Sequence, residues 1–188
     1  VLRQGIELDK DNRLVLTCVV DSFTKMWRRT VVINALIEFP IVISSKHIPD
    51  IYKGKYEYKF VDTNGRQTLV NYKNFRYILN VSPAIPDLVH DRQLNCVVSG
   101  GTLISESNMG IQKFLKADRD FVAIPFDGEK IAEKVNAIFE SPERSYEIAM
   151  SANRAWHENQ EKYKPYGVFF DRVRKMERQR PLNIDRPT

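Results

Sequence analysis

Two apolar runs, Tyr77-Ile78-Leu79-Asn80-Val81 and Thr102-Leu103-Ile104-Ser105, bracket a stretch that leaves the backbone few choices. After the first run, Ser82-Pro83 stops the strand and Pro86 marks a loop. His90-Asp91-Arg92-Gln93-Leu94-Asn95-Cys96-Val97-Val98 can then wind as a helix, until Ser99-Gly100-Gly101 ends it and the second run begins. The block reads as strand, loop, helix, glycine stop, strand. In open α/β sheets the loops at the carboxyl ends of strands are where ligands sit. A loop that delivers His90 and Arg92 to the first turn of a helix suits a phosphate, because the N–H groups there lack intrahelical partners and the helix dipole favours negative charge. An arginine adds a bidentate contact.

The rest of the chain repeats that grammar. Leu14-Val15-Leu16-Thr17-Cys18-Val19-Val20 is a near-continuous apolar run, suited to a central parallel strand covered on both faces. It ends at Asp21-Ser22, both good helix N-caps, and Phe23 to Phe39 follows with nearly helical apolar spacing until Pro40. Ile41 to Ser44 and Tyr56 to Val61 are the next strands, Asp62-Thr63-Asn64-Gly65 is a turn, and Thr68 to Phe75 is a helix candidate. Phe121 to Phe126 is a sixth strand. Asp127-Gly128 then caps a helix, Glu129 to Phe139, with Ile131, Val135, Ile138 and Phe139 in one stripe. Ser141-Pro142 starts another helix, with Tyr146, Ala149, Met150 and Trp156 expected inward, and a last amphipathic helix spans about Tyr166 to Arg178. Six strands alternating with helices predict an α/β fold, a doubly wound, mostly parallel six-stranded Rossmann-like sheet.

With 188 residues, 43% of them hydrophobic and 28% charged, the composition is that of a folded soluble domain. The expected division is a lead-in or linker over 1–13, a Rossmann-like domain over 14–160, and a basic helix and tail over 161–188. No apolar run approaches the roughly 18 residues of a membrane helix, and no secretory leader is visible. Cys18 and Cys96 are expected as two buried thiols in a reducing cytoplasm. The formal charge of +5 resides in the last segment, where eight Lys/Arg from Lys162 onward face three acids. Such a helix fits contact with a membrane surface, whereas a nucleic-acid reader would usually spread its charge over a face.

Other chemistry is disfavoured by what the sequence lacks. No His/Cys/Asp cluster has metal-ligand spacing, and His47 and His157 read as surface residues. There is no Gly-x-Ser-x-Gly elbow, no Walker loop, and no Gly-x-Gly-x-x-Gly after the first strand. Glu106 and Asn108 end a strand at the presumed ligand edge, and Ser22 follows the first strand at the same edge.

The succession Leu79-Asn80-Val81-Ser82-Pro83, His90-Asp91-Arg92, Ser99-Gly100-Gly101 and Ser105-Glu106-Ser107-Asn108 resembles the C-terminal domain of GT-B glycosyltransferases, in the branch of the group 1 and CgeB-like enzymes. Val122 to Phe126, Glu129 to Val135 and the Ser141-Pro142-Glu143-Arg144 break extend the likeness over roughly Leu14 to Trp156. The resemblance implies one half of a GT-B architecture that binds a nucleotide sugar in the cleft facing an N-terminal Rossmann-like domain. Arg92 would pair with the donor diphosphate and His90 would hydrogen-bond a phosphate or hydroxyl. Gly100 and Gly101 would let the backbone pass close to helix and ligand. In relatives with a Glu-x7-Glu motif the second Glu holds ribose hydroxyls; spacing back from Gly100 puts Asp87 and Asn95 at those two positions, so the second is a departure. Ser22, Glu106 and Asn108 would add nucleotide or sugar contacts.

The resemblance further implies no tightly bound metal or cofactor, the nucleotide sugar being a substrate. It implies a sugar transferase whose isolated half turns over poorly, because the acceptor site and any catalytic base lie largely in the other half. A non-catalytic nucleotide-binding or regulatory module of the same fold is the alternative; a nucleic-acid-binding protein is the third reading.

Overall fold

Parallel pairing organises the described part of the chain, which in this computed structural model comprises residues 9–62, 72–81 and 89–160. Two strands, β1 (Ile43–Ser44) and β2 (Phe60–Val61), pair in parallel. Three more, β3 (Tyr77–Asn80), β4 (Thr102–Glu106) and β5 (Val122–Ile124), form a second parallel sheet in the order β3-β4-β5. Five helices accompany them: α1 (Lys10–Leu36), α2 (Asp91–Val98), the single turn α3 (Met109–Gln112), α4 (Gly128–Phe139) and α5 (Pro142–Gln160). The α/β class and the parallel sense match the sequence expectation. The strand count does not: five described strands lie in two sheets.

The difference arises at the start of the chain. Leu14 to Val20, expected as a strand, are turns of the 27-residue helix α1. A helix closes its backbone hydrogen bonds within itself, whereas a strand needs a neighbour. The threonines of α1 suit this state, since Thr17, Thr24 and Thr30 each donate a hydroxyl to the carbonyl four residues back. Cys18 is consequently exposed rather than buried; Cys96 is buried as expected.

Within β4 alternate residues serve opposite faces of the sheet. Ile104 joins Val32 and Leu36 of α1, Ile131 and Val135 of α4, and Val122 and Ile124 of β5 in one apolar cluster. Leu103 joins Cys96 and Val97 of α2, Ile111, Phe121 and Ala152 in another. All five residues of Thr102–Glu106 are buried: Leu103 and Ile104 fill the two clusters, and the polar Thr102, Ser105 and Glu106 are each hydrogen-bonded, as burial requires. Helix α5 reaches both clusters, contributing Ile148 to the first and Ala152 and Ala155 to the second. Its buried side includes Ser145, Ile148, Ala149, Ala152 and Ala155, while Tyr146 and Met150, expected inward, are exposed. Small residues let this helix lie close to the sheet, and Thr102 Oγ1 donates to the Ser145 carbonyl at 2.9 Å.

The start of α4 and the stop of α2 are the ones the sequence announces. Asp127 accepts the N–H groups of Glu129 and Lys130 and caps α4. Gly100, at φ +78°, closes α2: its N–H bonds the Val97 carbonyl, and the N–H of Gly101 bonds that of Cys96. That pair of bonds is the Schellman arrangement, which calls for a left-handed residue. The helix candidate Thr68 to Phe75 is described only from Tyr72, where a 3-10 turn spans Tyr72–Asn74. The expected last helix, Tyr166 to Arg178, and the basic tail lie outside the described residues. No described helix is long and apolar enough to cross a membrane.

Candidate functional site

The first turn of α2 is tied to the carboxyl ends of two strands by a buried polar chain. Gln93 accepts the N–H of His90 through Oε1 at 2.8 Å and donates from Nε2 to Ser105 Oγ at 2.9 Å. Asn80 Nδ2 reaches the same hydroxyl at 3.4 Å, and Ser105 donates to the Glu106 carbonyl at 3.1 Å. Asn80, Gln93 and Ser105 are all at most 1% exposed, so these bonds work in a dry setting where a missing partner is costly. The helix entrance therefore stands at the carboxyl crest of β3 and β4, held there by these side chains.

On that entrance His90 is the N-cap residue in extended backbone conformation. Its Nδ1 lies 3.1 Å from Asp91 Oδ1, and the same carboxylate oxygen accepts the N–H of Arg92 at 2.8 Å. The bond from His90, aided by that from the Arg92 amide, holds the Asp91 carboxyl below its usual range against the opposing effect of burial. Asp91 thus supplies the negative charge that the helix terminus favours, and an incoming anion would compete with it. Arg92 is half-buried, and its Nε is buried without a hydrogen-bond partner among the described residues. It lies close enough to Tyr72 to oppose the rise that burial imposes on that phenol.

A second cation reaches the crest from α1. Arg28 Nη2 lies 2.5 Å from Oε1 of Glu106, the last residue of β4, and its guanidinium stacks over Phe126 with 5.4 Å to the ring centroid. Trp27 meets the other part of Phe126 edge-on at 4.9 Å. Arg28 Nε, like that of Arg92, is buried without a partner among the described residues. Among the described residues the crest thus carries two guanidinium groups, each with a buried Nε that no hydrogen bond engages, a buried carboxylate and an aromatic platform. Guanidinium groups in that condition suit a planar or tetrahedral oxyanion.

The expected site residues divide by where the fold puts them. His90, Arg92 and Glu106 stand at the crest; Asn108 follows them there, but its Oδ1 accepts the Ile111 N–H and caps α3. Gly100 and Gly101 precede β4 and so lie at the amino edge, the far end of the sheet. A Cβ on Gly101 would sit 3.3 Å from Cys96 Sγ and 3.4 Å from Ile78 Cδ1, so its smallness serves the packing of α2 on β3. Asn95 lies on the side of α2 away from Gln93, Cys96 and Val97. Ser22, expected beyond a strand end, is exposed in the middle of α1 because the run before it is helical. Asp87 lies outside the described residues. Arg28, Gln93 and Asn80 had no assigned role in the sequence reading; pairings across 78 and 25 residues leave no local spacing to detect. Among the described residues no group of three or more His, Cys, Asp or Glu could hold a metal ion.

Comparison with known proteins bears on the family and the fold. Residues 32–164, more than half of the chain, match the family described as glycosyl transferase-like. The chain belongs to the glycosyl transferase-like family. Its fold is similar to that of the C-terminal domain of LpcC, a glycosyl transferase group 1 family protein from Francisella tularensis, with a TM-score of 0.52 at 15% identity over 77% of this chain and 80% of that one. No curated protein matches. The likeness to a GT-B C-terminal domain is thereby met; at that identity the structural match speaks for fold alone, and the transferase assignment follows from the family.

Proposed function

We propose that this glycosyl transferase-like domain binds the nucleotide-sugar donor, and that its partner half supplies the acceptor side. The observation that carries the reading is the entrance of α2, with Arg92 on it, pinned by Gln93 to Ser105 at the carboxyl edge of a parallel sheet. Displacement at the anomeric carbon leaves negative charge on the departing diphosphate. Arg92 at the entrance of α2, and Arg28 beside the end of β4, would meet that charge, and preorganised donors of this kind are the usual source of transition-state stabilisation. Glu106 holds Arg28 in place and keeps the crest from accumulating positive charge. Phe126 and Trp27 provide apolar area for the base or sugar ring. His90 and Asn108 add polar contacts at the rim.

Calorimetric titration with UDP, GDP, CDP and ADP tests the reading. One nucleoside diphosphate should bind preferentially, and Arg92→Ala should weaken it about tenfold or more, the range for a lost charge-assisted hydrogen bond. Thermal stability of the variant should stay near that of the parent. Equal binding of all four by both proteins would remove the site from this crest. Binding without transfer in the presence of the missing half would favour the non-catalytic alternative.

A further inference from the structure

Helix α1 turns an apolar side outward. Val32 and Leu36 are buried in the core. Asp21, Lys25 and Arg28 share their side of the helix, taken at about 100° per residue. These three are partly buried and paired, Lys25 with Asp21 and Arg28 with Glu106. The opposite side carries Leu16, Val19, Val20, Phe23, Met26 and Trp27, which are 48–69% exposed. A surface helix ordinarily turns such a stripe to its own core. Single exposed apolar residues need no explanation, but a contiguous stripe marks a contact surface.

The spacing says what fits there. Leu16, Val19, Phe23 and Met26 stand three, four and three residues apart, the interval of coiled-coil a and d positions. That interval reads the same from either end, so the stripe complements a copy of itself running the other way. About a two-fold axis at the level of Asp21, Leu16 meets Met26 of the second copy and Val19 meets its Phe23. Each layer then sets a larger side chain against a smaller one, as close packing asks. The flanks agree. Asp11 and Arg29, both exposed, lie on one side of the stripe near its opposite ends. Antiparallel pairing brings each alongside the other's counterpart, whereas parallel pairing sets like against like. Arg13 falls beside Trp27 of the second copy, where a cation over an indole is favourable. The area is also sufficient. At about 150–250 Å² for a large side chain, six half-exposed ones offer on the order of 600 Å² per copy. Two copies bury on the order of 1,200 Å², above the roughly 1,000 Å² that a specific interface needs. A lipid surface would accept an apolar stripe of any interval and does not account for a self-complementary one.

We propose that two copies of this chain pair through α1, antiparallel and two-fold symmetric about Asp21, and bury the stripe of Leu16, Val19, Phe23 and Met26 between them. Such a contact uses the same patch on both copies and closes on itself, so it yields a dimer and not a filament. It does not rest on the donor reading, since Arg92 and the entrance of α2 take no part in it.

Sedimentation equilibrium of the full chain should return twice the monomer mass at micromolar concentration. Phe23→Asp, at an exposed position, should keep the far-ultraviolet dichroism of the parent and weaken self-association about thirtyfold or more, the loss expected of a central aromatic anchor. A short bismaleimide should link two copies of Cys18→Ser/Ser22→Cys, because position 22 flanks the axis. It should not link two parent chains, whose exposed Cys18 lies on the side of α1 away from the stripe and whose Cys96 is buried. A parent that stays monomeric overturns the inference; binding of that monomer to phosphatidylglycerol vesicles would then mark the stripe as a lipid contact. A dimer that survives Phe23→Asp overturns it too, as does one that position 22 fails to cross-link. Should Phe23→Asp not fold, the cross-link at position 22 decides alone.

Discussion

Gln93 and Asp120 show how single side chains hold this domain in shape. Gln93 is buried with one amide atom on the backbone of its own helix and the other on Ser105. Gln93→Leu should cost about 1–3 kcal/mol in denaturant unfolding, because the Ser105 hydroxyl and the His90 N–H lose a partner in a dry place. Nucleoside diphosphate affinity should fall with it, as the entrance of α2 loses its tie to the sheet. Asp120 is fully buried before β5. Arg119 approaches it through Nε at 2.7 Å and Nη2 at 2.6 Å, Ser151 Oγ lies at 2.5 Å and the Lys116 N–H at 2.8 Å. Burial alone would raise its pKa, but these donors outweigh burial and leave the carboxyl below its ordinary range. A carboxylate whose folded pKa is depressed contributes stability that is present above the unfolded value, about 3.9, and is lost as pH falls through the folded one. Unfolding free energy of the parent should therefore decline below about pH 4, and Asp120→Asn should flatten that decline while lowering stability at neutral pH.

Among elements, α2 and its two flanking strands were readable from the sequence because proline, an N-cap position and a glycine stop punctuate them. Gly100 tests that punctuation. Its left-handed backbone makes Gly100→Ala destabilising by about 1 kcal/mol in chemical denaturation although no atom lies within 4 Å of the added methyl. The element misread was α1, and for a physical reason: a short apolar run has the same pattern in a buried strand and in a helix. The turn of α5 was misjudged because large side chains, Tyr146 and Met150, drew the apolar stripe toward themselves. Ala149 is buried as expected, but beside it the helix packs through Ser145, Ala152 and Ala155, where a close approach to the sheet needs little bulk. Of the site, His90, Arg92 and Glu106 were visible at element ends, whereas Arg28 became visible only when the fold carried α1 to the end of β4.

For the whole molecule the decisive arrangement is one helix shared by two cores. Because α5 is rooted on both sides of the β3-β4-β5 sheet, neither apolar cluster can open without disturbing the other. Urea unfolding followed by Trp156 fluorescence and by far-ultraviolet dichroism should accordingly give superimposable transitions, the signature of two-state behaviour. Separated midpoints would mean that the clusters come apart independently. The helix acts as a keystone, and a keystone has an evolutionary consequence: substitutions on either side of the arch are judged by the fit of both. Its alanines leave little room for drift, so variation in this domain should concentrate on the outer face of α5 and on the crest, where a new sugar or base can be accommodated without loosening the masonry beneath.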